Sequence, residues 1–141
     1  MANYYSKTRT NTFEVTNEDS FRNACENLRS DGGDELEIIT KKNDNNTVSV
    51  ILACEGSLIT VNPDDDDDYN DDITEFYKAV QPLLAENSAM IVTTIGYEKL
   101  RYLTAYADIV TSSSIESINL ENAVESTVQD MLSDSKWHFR W

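Results

Sequence analysis

The residues with the most chemical potential in this chain are the consecutive carboxylates Asp64-Asp65-Asp66-Asp67-Asp68, followed by Asp71, Asp72 and Glu75. Carboxylates this close together suit a hard cation. In a twelve-residue loop counted from Asp64, residues Asp66, Asp68, Asn70, Asp72 and Glu75 fall on the positions that ligate calcium in an EF-hand. Tyr69, however, stands where that loop needs glycine, and Asp71 where an apolar anchor belongs. The residues upstream also have the pattern of a strand, so the entering helix is missing, and no metal or other cofactor is expected. A second chemistry is electrostatic. Duplex DNA carries one negative charge per roughly 1.7 Å of axis, and the proteins that bind it present matching Lys and Arg. A row of aspartates continued by Asp71, Asp72 and Glu75 could occupy such a basic groove and release its counterions. The third alternative is a solvated loop whose charge serves solubility. The candidate binding set is therefore Asp64, Asp65, Asp66, Asp67, Asp68, Asp71, Asp72 and Glu75.

Enzymatic chemistry finds little support. His138 is the only histidine, which excludes a His-dependent triad or a multi-His metal site within one chain. There is no glycine-rich phosphate loop, no Gly-x-Ser-x-Gly turn and no cysteine with a neighbouring histidine. Carboxylate pairs carry no diagnostic weight in so acidic a chain, so no catalytic residue is expected. Cys25 and Cys54 continue apolar patterns and read as small buried hydrophobes rather than a disulfide. Lys136-Trp137-His138-Phe139-Arg140-Trp141 forms an aromatic, cationic tail that is expected to fold back over the core, the alternative being an exposed binding anchor. Tyr102 and Tyr106 share one face of a strand beside Arg101, which reads as a packed sheet face.

The charge distribution narrows the class of partner. The 141 residues hold 26 acids and 11 bases, for a formal charge of −15. Residues 1–30 are balanced at 4 and 4, residues 31–86 carry 15 acids against 3 bases, and residues 87–141 carry 7 against 4. Such a field repels nucleic acid and anionic membranes and attracts basic surfaces. No apolar run approaches the roughly 20 residues a membrane span needs, and the chain reads as an unexported, cytoplasmic protein. The hydrophobic fraction of 40% is enough for a core, and the length suits a single domain over residues 1–141.

Several elements must position these residues. Tyr4 to Val15 read as a strand whose first part, Ser6 to Asn11, is polar on both faces and suits an edge or arm. Thr16 or Asn17 caps a helix with Glu18 and Asp19 in its first turn. Its stripe is Phe21, Ala24, Cys25 and Leu28, and Gly32-Gly33 ends it. Leu36–Thr40 and Thr47–Cys54 form a hairpin, with a short strand at Leu58–Val61 before Pro63. After an acidic loop at 62–72, Asp72 and Glu75 resemble a capping box for a helix carrying Ile73, Phe76, Tyr77, Val80, Leu83 and Leu84. Pro82 kinks or ends that helix. Met90–Ile95 and Leu100–Val110 pair next, turning near Gly96-Tyr97-Glu98-Lys99. Ile115–Ile118 adds a strand, and Asn119 caps a last helix. The expected class is α+β, a largely antiparallel sheet of five to six strands with three helices in the order β-α-β-β-α-β-β-α.

Met1-Ala2-Asn3-Tyr4-Tyr5-Ser6-Lys7-Thr8-Arg9-Thr10-Asn11, together with Gly96-Tyr97-Glu98-Lys99-Leu100-Arg101-Tyr102-Leu103-Thr104, resembles small acidic proteins encoded by phages and other mobile elements. The resemblance covers about 20 residues and transfers no catalytic or binding residue. It implies an inhibitor of host defence, of the anti-CRISPR or anti-restriction kind, some of which mimic DNA. The expected function is thus a non-enzymatic protein that blocks a basic, nucleic-acid-binding host protein. An immunity-type protein against a basic toxin and a phage or plasmid accessory component are the alternatives.

Overall fold

A computed structural model describes residues 4–32, 35–99 and 101–141. The class is α+β, with antiparallel pairing throughout both sheets. The element order is richer than expected, with ten strands among the described residues where five to six were anticipated. The larger sheet contains β1 (Tyr4–Thr10), β2 (Phe13–Val15), β4 (Glu37–Lys42), β5 (Val48–Glu55), β8 (Met90–Glu98), β9 (Tyr102–Val110) and β10 (Ile115–Asn119). The β8-β9-β10 meander lies on one side and the β4-β5 hairpin on the other, joined through β1, while β2 pairs with β5 alone. A smaller sheet holds β3 (Leu28–Ser30), β6 (Leu58–Asn62) and β7 (Asp65–Asn70).

The central position of β1 corrects the expectation of an edge or arm. Lys7, Thr8 and Arg9 pair with Glu55, Cys54 and Ala53 on one side, and with Ile95, Thr94 and Thr93 on the other. Polar residues are tolerated there because the two buried threonines are satisfied internally. Thr8 Oγ1 donates to Gly56 O at 2.8 Å and lies 2.9 Å from Thr94 Oγ1, while Thr10 Oγ1 accepts the Leu52 N–H at 2.9 Å.

The first helix is also shorter than its stripe suggests. Asn17 caps α1 (Glu18–Ala24) by accepting the Ser20 N–H at 2.9 Å, but the helix stops at Ala24. Leu28, expected on its last turn, instead opens β3 opposite Thr60 of β6. A helix this short has little stability of its own, so strand pairing decides the backbone while Leu28 stays buried. Gly32 belongs to the following turn rather than to a helix end, and Gly33 lies outside the described residues. Pro82 acts as anticipated: α2 (Thr74–Val80) passes into a 3-10 turn at Gln81–Leu83. The strand expected from Leu100 begins at Tyr102, Leu100 itself lying outside the described residues.

The core forms between the inner face of the large sheet, α1, α2 and the small sheet. Phe13, Val15, Val50, Leu52, Met90 and Val110 meet Phe21, Phe76, Tyr77, Val80 and Leu58 there. The chain passes from one sheet to the other at Gly56, whose φ of +85° suits glycine. Its N–H donates to Ser6 O at 2.7 Å, and a Cβ there would collide with Asp31 Oδ1 and sit 2.6 Å from Gly32 N. Gly56→Ala should therefore destabilise by about 2 kcal/mol. A circular-dichroism melt should show the midpoint fall by several degrees, and an unchanged midpoint would contradict this account of the crossing.

Candidate functional site

The acidic segment is a strand where the sequence suggested a loop at 62–72. β7 pairs with β6 through Asn70 opposite Thr60, Tyr69 opposite Val61 and Asp65 opposite Asn62. The register shifts between Val61 and Asn62, so Asp66, Asp67 and Asp68 bulge from the ladder. Short side-chain bonds hold this path. Asn62 Oδ1 accepts the Asp64 N–H at 3.0 Å, Asp65 Oδ1 accepts the Asp67 N–H at 3.0 Å, and Asn62 Nδ2 donates to Asp68 Oδ2 at 3.2 Å. β7 is an edge strand of the small sheet. Asp64, Asp65, Asp67 and Asp68 are exposed and form no ion pair among the described residues. The side chain of Asp66 lies outside the description. Tyr69, next along the strand, is 59% exposed.

Asp71 and Asp72 continue the exposed acidic surface to α2. The capping box is corrected in detail: Asp72 stands one residue before the Ile73 N-cap. Its Oδ1 accepts the Thr74 N–H at 2.9 Å and the Thr74 hydroxyl at 2.5 Å, which holds the Asp72 carboxyl below the usual carboxylate range. Glu75 pairs with Lys78 at 3.5 Å instead of closing a box. The structure thus places the predicted residues along one bulged edge and the start of the next helix. As a surface, this edge suits long-range attraction and contact with cations on another molecule.

A second surface escaped the sequence reading. The face of the large sheet turned away from the core carries Tyr5, Tyr97 and Leu103 in adjacent positions, then Lys7, Ile95 and Ala105, then Arg9, Thr93 and Ala107. Ile118, Leu120 and Ile39 extend it, and these seven large apolar side chains are each between 49% and 58% exposed. The signal was present as alternation in β1 and β8, but it was hidden by the assumption that β1 lay at an edge. Within this face β1 pairs with β8, Tyr5 facing Tyr97 with ring centres 5.5 Å apart. Met1, Ala2 and Asn3 of the phage-protein resemblance lie outside the described residues.

The remaining candidates are structural. Tyr77 donates its hydroxyl to Asp108 Oδ2 at 2.5 Å, and Ser117 donates to Asp108 Oδ1 at 2.6 Å, which ties α2 to β9 and β10. Burial, followed by the Asp108 contact, pushes the Tyr77 phenol well above its ordinary value. Cys25 is buried and Cys54 half-buried, both as free thiols, and burial pushes both upward, Cys25 to about 12. Tyr102 and Tyr106 do share a face, with the Tyr102 hydroxyl on Glu98 Oε2 at 2.6 Å.

The aromatic tail covers helix α3 (Leu120–Leu132) rather than the core. Glu125 accepts the Phe139 N–H at 2.8 Å, Glu121 accepts the Trp141 indole N–H at 2.9 Å, and Gln129 donates to Trp137 O at 2.8 Å. Asn119 caps α3 as anticipated, accepting the Asn122 N–H at 2.8 Å, but no residue of α3 is fully buried. No helix among the described residues is long and apolar enough to cross a membrane. Comparison with family models, curated proteins and solved structures returned no match to this chain.

Proposed function

We propose that this is a non-enzymatic binding protein that occupies the nucleic-acid-binding surface of a basic host protein, as an anti-CRISPR or anti-restriction inhibitor of phage type would. The observation that carries this reading is the bulged edge β7, where exposed aspartates without ion pairs among the described residues precede an exposed tyrosine. Bonds from Asn62 and Asp65 fix the backbone of this edge, so its exposed carboxylates are held close together rather than spread on a free loop. Their mutual repulsion is relieved when lysines or arginines of a partner replace the counterions. Tyr69 offers that partner an aromatic anchor of the kind enriched in interface hot spots. The net charge of −15 disfavours nucleic acid itself as the ligand.

The test is capture from host lysate at low and high salt, with mass spectrometry, followed by competition with duplex DNA for the captured protein. Capture should be strong at low salt, fall as salt rises, and be competed by DNA. Changing Asp64 through Asp68 to asparagine should weaken it by roughly tenfold or more. Equal capture by parent and variant would overturn the mechanism and leave β7 as a charged edge that prevents strand-to-strand aggregation.

A further inference from the structure

We propose that the outer face of the large sheet is a homodimer interface, with two copies of the chain meeting face to face. Size is the first support. Tyr5, Ile95, Tyr97 and Leu103 adjoin one another through the sheet register, Leu120 lines the same hollow and Ile118 flanks it on β10; all are about half exposed, and at roughly 100 Å² for each half-exposed large side chain they present about 600 Å². The largest apolar patch on an ordinary monomer spans roughly 300–600 Å², and a standard interface buries about 800 Å² per partner. Between Tyr5, Ile95, Tyr97, Leu103 and Leu120 the face is hollowed by about 580 Å³, space into which a side chain of a second copy can insert.

Charge selects the occupant. The outward positions of this face carry Lys7, Arg9 and Lys41 against Glu14, Glu37, Glu55 and Glu116, a nearly balanced set on a molecule of charge −15. A basic partner gains nothing from three cations, whereas a second copy brings cations of its own to these carboxylates. Lys7 and Glu55 satisfy each other at 3.3 Å. Arg9, Lys41, Glu14, Glu37 and Glu116 have no ion pair among the described residues, which leaves charges of both signs to be matched. Under a two-fold axis the cations of one copy meet the anions of the other, which is the self-complementarity an isologous interface requires. Neither β7 nor any of its aspartates belongs to this surface.

The two surfaces respond to salt in opposite senses. Contact between two molecules of charge −15 is opposed by long-range repulsion, so added salt should tighten the dimer while it weakens capture of a basic protein. Light scattering after size exclusion, and sedimentation over a concentration series, should give twice the 16.0 kDa chain mass at tens of micromolar, with dissociation at low salt. Tyr97→Asp and Leu103→Asp should each yield a monomer whose circular dichroism and melting midpoint match the parent, since both side chains are exposed. Arg9→Glu should loosen the dimer, and adding Glu37→Arg should restore it in part. The Asp64–Asp68 asparagine variant should stay dimeric, so failure of the acidic-edge mechanism remains separate from failure of the dimer. A chain that is monomeric at high salt, a dimer indifferent to Tyr97→Asp and Leu103→Asp, or a monomer that loses basic-protein capture on those changes would overturn the proposal.

Discussion

Replacing Phe21 by alanine should cost about 4 kcal/mol of folding free energy, within the range for emptying a large buried aromatic site. Phe21 is fully buried, is the only buried side chain of α1, and meets Phe13 edge-on with ring centres 5.6 Å apart. A seven-residue helix contributes little hydrogen-bond stability by itself, so this one ring attaches α1 to the sheet. Against a typical total of about 5–15 kcal/mol, the loss should bring the chain close to half unfolded in mild denaturant. Urea titration should show a lower midpoint with the slope preserved, and Phe21→Leu should recover most of the difference. A loss under about 1 kcal/mol would mean that the surrounding core closes over the site, contrary to the packing described.

Alkaline conditions should destabilise the protein steeply, through Cys25 first. Its buried thiol holds its proton up to about 12 in the native state, while an unfolded thiol ionises near ~8.5. Its contribution is complete below the unfolded value and is lost as the pH rises from there toward 12, because the unfolded chain then binds fewer protons than the native one. The slope is about 1.4 kcal/mol per pH unit for one group, amounting to roughly 5 kcal/mol across the window. Tyr77, raised by burial and then by Asp108, adds a similar slope above about 10. Urea unfolding measured at a series of alkaline pH values should show both, and Cys25→Ala and Tyr77→Phe should each flatten the dependence. A parent curve no steeper than that of the double variant would refute the assignment. Native Cys25 should also resist alkylation at neutral pH, since the thiolate is the nucleophile.

Local signals in the chain specified their elements wherever the interaction spans a few residues. Asn17 and Asn119 cap their helices by bonding an amide three residues on, Pro82 turns the helix end into a 3-10 turn, and Val48, Val50 and Leu52 alternate into the core as their spacing requires. The same locality made the acidic run visible and the α+β class readable. What depended on distant partners was hidden. Leu28 has helical spacing from Phe21, yet Thr60 draws it into a strand. Polar β1 is central because Gly56, Leu52 and Thr94, between 42 and 86 residues away, satisfy its threonines. The aspartates became an ordered edge because Val61 and Asn62 pair with their flanks. The outer sheet face exists only once β1 lies between β5 and β8. Spacing along the chain determines which residues share a face of one element, but the pairing of elements, decided by burial and hydrogen bonding across the whole fold, determines which faces meet and which are left open.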